Sequence, residues 1–420
     1  MKNIKFVFVL FALVLLVAAP LVAVDYSPES AMYKQTGESF MGISTRVLSM
    51  GGAGLGVTGY YDSFLMNPAN LGKGGVKISI PSVTVTAYNP KAILESGMID
   101  DFEEGTDEAM LSGAQKFLNT IKKDYGDVLT TDTSVVLTLG SFGFALEAQE
   151  RLMSYKTSSD MTSTNLIAQI TTAATAGLGF RLDLFPDFLT VDLGVSGKAI
   201  YKAYFSAQSA SSITDLISEE DADPADKFLN EVPLIAGYSF PVNAGVNLNF
   251  PLGITVSAVA RNFNGAYYMT SYESLNSWSE EVLGEGIDDS FTPSGTFTSE
   301  SYEFDAGWNL NAGFTWAPKV GSLLKPIIAV DVLDVMAMSG LEGEALNRAF
   351  FEQTRLGASL RVLSFLDLRY GLNKGYQSFG VGVDLLIFHL DAAYYQLEYG
   401  QDIGDKPIDA LSVRFSLLSR

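Results

Sequence analysis

Three features of the sequence predict an all-β fold: a fourteen-stranded antiparallel transmembrane β-barrel with an N-terminal plug and helical insertions in its outer loops. A basic and then apolar leader opens the chain. Runs alternating apolar with polar residues fill it from Val76 onward, and the connections between them are long and short by turns. Lipid outside a closed sheet and water inside would impose that alternation on every strand. The expected organisation is a signal peptide over 1–23, a plug over 24–75 and a barrel over 76–420.

In the leader, Lys2 and Lys5 precede an unbroken apolar core from Phe6 to Ala19, and Leu21-Val22-Ala23 offers a small-residue cleavage site. An uncleaved helical anchor is the alternative, since Phe6 to Val24 is just long enough to cross a bilayer. The polar chain after Val24, with no positive flank, favours cleavage. No later segment approaches the ~20 consecutive apolar residues of a helical span. With 27 basic against 48 acidic residues, the net charge of −21 argues against a nucleic-acid partner and suits acidic outer loops. The absence of cysteine removes disulfides, thiolate metal sites and thiol nucleophiles, and a single histidine makes a transition-metal site unexpected. No cofactor is expected.

The runs fall near 76–88, 133–139, 142–156, 165–182, 189–206, 232–247, 253–268, 301–317, 326–336, 354–363, 365–373, 379–388, 389–399 and 409–418. In the last of them Leu411, Val413, Phe415 and Leu417 alternate with Ser412, Arg414 and Ser416, so one face is apolar and the other polar. A soluble sandwich could also alternate. The connections discriminate: 89–131, 207–231, 269–300 and 337–353 are long, whereas Gly140-Ser141 and 184–188 are short. Short periplasmic turns and long outer loops are the mark of a membrane barrel, and an even strand count leaves both chain ends on the periplasmic side. Phe185, Phe188, Phe250, Trp316, Phe365 and Phe388 at the short-turn ends are expected to form one aromatic girdle. Tyr88, Tyr204, Phe205, Tyr267, Tyr268, Tyr302, Phe304 and Tyr399 are expected to form the other. Helical spacing of Met110, Leu111, Ala114, Phe117, Leu118 and Ile121 predicts a loop helix, and 213–230 a second, both capping the barrel mouth.

Ahead of the strands lies Met50-Gly51-Gly52-Ala53-Gly54, followed by Asn67-Pro68-Ala69-Asn70-Leu71. Clustered glycines let backbone pack closely on backbone, and Asn-Pro biases the chain to a turn. This pairing of M-G-G-A-G with N-P-A-x-L resembles the N-terminal region of FadL-type outer-membrane transporters, the related PorV-like barrels and the FadL-like proteins of spirochaetes. Gly59-Tyr60-Tyr61-Asp62 stands where those families carry an A-D-D-A-like stretch. The resemblance implies a plug motif of Gly51, Gly52, Gly54, Asn67, Pro68 and Ala69. It also implies passive uptake of long-chain fatty acids or other small hydrophobic molecules, by local displacement of the plug and a side opening in the wall.

Other readings of the residues compete. Gly54-Leu55-Gly56-Val57-Thr58-Gly59 matches a dinucleotide fingerprint but lacks the βαβ context and the downstream acid. His389, beside Asp391, is the one candidate base for a barrel hydrolase, yet no serine partner is identifiable by spacing; its other reading is an interfacial or turn residue. No catalytic residue is assigned and no enzyme expected. Inward faces should carry Asp192, Lys198, Lys202, Asp331, Arg355, Arg361, Asp367, Arg369, Asp384 and Arg414. These either pair with one another in a wet lumen or present arginine forks to a carboxylate headgroup. The chain end, Leu417-Leu418-Ser419-Arg420, lacks an aromatic last residue, and Phe415 is the residue expected to stand in for it.

The expectation is therefore a cell outer-membrane channel. Its partners would be outer-membrane lipid, a long-chain fatty acid or other hydrophobic ligand, and the outer-membrane assembly machinery. A PorV-like secretion-associated barrel and a surface antigen or adhesin with a sealed lumen are the alternatives.

Overall fold

The computed structural model describes residues 40, 42, 44–156, 158, 160–206, 208–209, 229–287, 295–321, 323–400 and 402–417. The leader, the first part of the expected plug, most of the second helical candidate and the last three residues lie outside this set. Eighteen hydrogen-bonded segments form one antiparallel sheet whose first and last members pair, so the sheet closes. Three strands are each split in two, and Gln208–Ser209 is a short accessory segment. The described residues thus form a closed barrel of fourteen strands.

In chain order the strands are β1 Val76–Tyr88, β2 Asp124–Leu139, β3 Phe142–Lys156, β4 Thr164–Phe185 and β5 Leu189–Phe205. Next come the split strands: β6 (Leu234–Ser239 and Val242–Phe250), β7 (Ile254–Phe263 and Ala266–Tyr272) and β8 (Ser301–Asp305 and Asn309–Trp316). They are followed by β9 Leu324–Val332, β10 Thr354–Val362, β11 Leu366–Asn373, β12 Tyr376–Leu385, β13 Phe388–Glu398 and β14 Pro407–Leu417. Alternation decides what each face meets. Val85, Leu178, Leu193, Phe314, Leu368 and Val413 are exposed on the outside, while Arg369, Asp391 and Arg414 are buried within. That is the inverse of a soluble protein and the arrangement a bilayer demands. No helix among the described residues is long and apolar enough to cross a membrane.

Residues 44–75 lie inside the barrel. They form two short helices, α1 Thr45–Ser49 and α2 Ser63–Met66, and a 3-10 turn over Pro68–Lys73. Ser44 caps α1 by accepting from the Val47 amide, and Asn67 starts the 3-10 turn by accepting from the Ala69 amide. The wall meets this segment with glycines at inward positions. A Cβ on Gly194 would fall on the Pro68–Ala69 peptide, and one on Gly371 on the Met50–Gly51 peptide. Gly245 likewise makes room for the Asn67 side chain, and Gly357 for Met50 and Ala53.

Three expectations need correction. Strand β2 begins at Asp124, not near 133, because its outer half rises beyond the apolar band and loses the alternation. The link from β11 to β12 is the two-residue hairpin Lys374-Gly375, so β12 runs from Tyr376 to Leu385 and His389 is the second residue of β13, not a turn residue. The outer girdle is mostly absent. Tyr268 is exposed, but Tyr204 and Tyr267 point inward, where Tyr302 and Phe304 pack on them. On the short-turn side Phe185, Phe188, Trp316, Phe365 and Phe388 are exposed as expected.

The loop helices also sit differently. α3 Pro90–Glu95, α4 Met98–Glu104 and α5 Asp107–Thr120 pack Met98, Phe102, Phe117 and Leu118 against Leu152 and Leu166 on the barrel's outside. α6 Leu275–Leu283 places Leu275 and Trp278 against Phe205, Leu234 and Tyr272, again outside. They form a collar rather than a cap over the mouth. α7 Gly343–Gln353 buries none of its residues.

The breaks in β6, β7 and β8 lie side by side. Pairing of β6 with β7 stops between Tyr238–Tyr268 and Val242–Phe263, and pairing of β7 with β8 stops between Ala266–Asp305 and Arg261–Asn309. Outside the breaks Phe263 stacks on Trp308 at 5.5 Å, and Tyr238 lies 5.4 Å from Phe240.

If wall glycines seat the inner segment, Gly194→Leu will unseat it. Overpacking of this kind costs about 1–3 kcal/mol. Limited proteolysis should then cut within 44–75 faster than in the parent. Gly197→Leu, on the same strand with nothing within 4 Å, should leave the rate unchanged.

Candidate functional site in the lumen

The inner segment is held together before it is held to the wall. Arg46 pairs with Asp62 at 2.8 Å, both buried, and Ser44 donates to the same carboxylate. The Arg46 guanidinium lies 4.3 Å over the Tyr60 ring. Burial pushes the Tyr60 and Tyr61 phenols above the usual tyrosine range, so both stay protonated. Asn70 donates to the Ser63 carbonyl at 2.8 Å and the Leu55 carbonyl at 3.2 Å, tying the Asn-Pro turn to the glycine stretch.

Polar contacts with the wall follow. The amides of Gly54 and Leu55 both donate to Asp331 Oδ2, at 2.6 and 2.9 Å. Gly51 and Gly52, at φ of 67° and 87°, make the turn that aims this stretch at the wall. Asn67 donates to Asn247 Oδ1 at 2.8 Å, Asn247 donates to Asn70 Oδ1 at 2.9 Å, and Arg261 donates to the Met66 carbonyl at 2.5 Å. Pro68 and Ala69 lie buried against β5.

On the short-turn side runs a belt of charges. Arg361 meets Asp367 at 2.6 Å and Asp384 at 3.3 Å; Arg369 bridges Asp367 at 3.2 Å and Asp391 at 2.6 Å. Arg414 reaches Asp391 at 3.2 Å and lies 4.2 Å over Tyr61. His389 joins the belt, one ring nitrogen on Asp384 and the other 2.8 Å from Asp391. These cations and carboxylates satisfy one another, and their arginines clamp two tyrosines of the inner segment. Asp192 is paired with Arg181 at 2.7 Å, Lys198 donates to the Phe40 carbonyl at 3.2 Å, and Lys202 lies 4.2 Å over Tyr267.

Space remains on both sides of the segment. Toward the long loops lie two cavities of about 260 and 290 Å³, which share Leu48, Tyr395 and Leu397 as lining. The smaller adds Arg261, Arg355, Asn309, Asn373 and Tyr376 to the apolar Met66 and Leu333. The larger adds Asp127, Asp132, Arg151 and Lys202. Toward the short turns a cavity of about 320 Å³ is lined by Tyr60, Tyr61, Lys77, Arg361 and His389. Beside the outer cavities two apolar groups face the lumen, Met153, Ile167, Tyr204 and Ile235 in one and Phe40, Ile200, Tyr267 and Met269 in the other, with Lys202 and Arg151 on the same strands and Arg151 paired with Asp127.

Arg355 differs from the other inward arginines named from the sequence. Its Nη1 donates to the carbonyls of Glu352 and Thr354 at 2.6 and 3.1 Å, and among the described residues no carboxylate pairs with it. Sequence reading missed Arg261, Asn247, Tyr395 and the wall glycines. Their signal was present: Asn243, Asn247 and Asn249 recur at period two, and glycine inside a strand marks close backbone approach.

No known family pattern and no curated protein matches the chain. Solved structures do. The Pseudomonas putida toluene transporter TodX is 12% identical, with 90% of this chain and 99% of that one covered at a TM-score of 0.43. A Pseudomonas aeruginosa FadL homologue is 11% identical over 90% and 98%, at 0.43. The Ralstonia pickettii toluene transporter TbuX is 11% identical over 90% and 99%, at 0.44.

Asp331→Ala removes the acceptor shared by two buried amides and should destabilise the seat by about 1–3 kcal/mol. Hydrogen exchange at Gly54 and Leu55 should accelerate by one to two orders of magnitude. Exchange in the β13–β14 ladder should stay slow.

Proposed function

We propose that this protein is an outer-membrane channel for passive uptake of small hydrophobic molecules, with residues 24–75 as its plug and long-chain carboxylates among its ligands. The observation that carries the reading is Arg355. It is a buried guanidinium that no carboxylate among the described residues pairs with, on the edge of a cavity whose other walls include Leu48, Met66, Leu333 and Asp334. A guanidinium matches a carboxylate in charge and in fork geometry, and the apolar walls suit the tail.

The route follows from the polarity of the lumen. A hydrophobic molecule arriving from outside meets the apolar group of Tyr204, Ile235, Tyr267 and Met269, with Lys202 set among them over the Tyr267 ring. An amphiphile then settles with its head at Arg355 and its tail among Leu48, Leu333 and Leu397. Onward passage needs the plug to shift, because Gly51, Gly52 and Gly54 close the floor of the cavity against β9–β11. The neighbouring breaks in β6, β7 and β8 offer a way through the wall, with Phe263, Trp308 and Phe240 presenting aromatic surface to the membrane. No step calls for a cofactor.

Labelled oleate should bind the purified protein saturably. Arg355→Ala, which removes a charge-assisted contact of about 1.5–3 kcal/mol, should weaken binding about 10- to 100-fold. Oleyl alcohol, lacking the carboxylate, should bind the parent and the variant alike. Absence of saturable oleate binding to the parent would contradict the proposal.

A further inference from the structure

The outer wall carries a groove of about 560 Å³ across β2–β6. Its floor is made of small side chains, Ala148, Thr172, Ala174 and Ala199, which register pairing sets side by side on β3, β4 and β5. Leu146 flanks one side, and Tyr238 with Phe240 the other. All of these side chains belong to the face that meets lipid.

Two observations identify what fits. The first is the collar. On the long-loop side of the groove α3–α5 cover Leu152 and Leu166 of β3 and β4, and α6 covers Phe205 and Leu234 of β5 and β6, with Trp278 donating to the Tyr201 hydroxyl at 2.6 Å. The helices thus bound the groove on its long-loop side and leave it open to a flexible chain from the bilayer below.

The second observation is Glu150. It lies two residues beyond Ala148 on the same outward face, half-buried, and among the described residues no hydrogen bond or ion pair engages it. Eight residues separate it from Phe142 at the short-turn end, roughly 20 Å along the membrane normal for a tilted strand. That is close to the outer edge of an apolar band ~25 Å tall. A carboxylate there, facing lipid, lacks a cation.

We propose that the groove holds an acyl chain of an outer-leaflet phospholipid whose amine headgroup pairs with Glu150, so that each barrel retains one specific lipid. The proposal rests on the outer-membrane reading above. Apolar floor and acidic rim together select an amine-bearing amphiphile over an anionic one.

The test uses the protein reconstituted in nanodiscs of equal phosphatidylethanolamine and phosphatidylglycerol, then released for native mass spectrometry. The parent should retain one lipid, with phosphatidylethanolamine preferred at least threefold. Ala174→Phe, or the milder Ala199→Leu if the first fails to fold, should lose it. Glu150→Gln should keep a lipid but lose the preference. Equal retention by parent and filled variants overturns the proposal, as does a parent that retains no lipid or leaves the discs as a dimer that the filled variants abolish. Failure of the barrel to insert into the discs would instead defeat the membrane reading itself.

Discussion

Backbone-to-backbone contact between the inner segment and the wall is the constraint on which the other features depend. A barrel of this strand number has a lumen too wide to be filled by its own side chains and too narrow for a separate folded domain. Inward glycines on β5, β6, β10 and β11 widen it locally, so that a short, irregular stretch of chain fits. Irregular backbone buried this way must find partners for its amides and carbonyls. Asp331, Asn247 and Arg261 supply several of them from the wall, and Asn67 and Asn70 supply others from within. Close approach and polar satisfaction thus select the same residues.

That seat divides the interior into regions of different chemistry. Below it the charge belt is internally paired and clamps Tyr60 and Tyr61. Above it the cavities are mixed, with Arg355 paired to no carboxylate among the described residues. Beside them apolar side chains face the lumen, with Lys202 and the Arg151–Asp127 pair among them. The outside is graded too: aromatic residues near the short turns, small and aliphatic side chains across the middle, and helices folded against the outer rim.

Much of this was legible in the sequence, for reasons that also explain the remainder. Alternation marks a strand whose two faces meet different solvents, and so β5, β10, β11 and β14 could be read nearly to their ends. Where both faces meet protein or water the signal fades, as in Asp124 to Asp132 of β2. Aromatic residues mark an interface only when they point outward. Tyr204 and Tyr267 fall on inward positions and serve the lumen, which composition alone could not reveal. Helix α6 is amphipathic against a wall of its own chain, so its apolar residues resembled those of a loop. The inward charges were identifiable by parity, but which of them lack a partner is a property of three-dimensional pairing. Arg355 and Arg369 look alike in sequence and differ entirely in their surroundings.

The central claim is that the seated segment closes the lumen and must move for anything to pass. The chain has no cysteine, so a single engineered disulfide can test this without interference. A Cβ on Gly357 would lie 3.1 Å from that of Ala53, about 0.4 Å short of the lower end of disulfide spacing, so the bridge forms with a small outward shift of the inner segment. In the Ala53→Cys/Gly357→Cys variant, uptake of a hydrophobic substrate into liposomes should fall to background when oxidised and recover on reduction. Equal uptake in the oxidised and reduced forms would contradict the account.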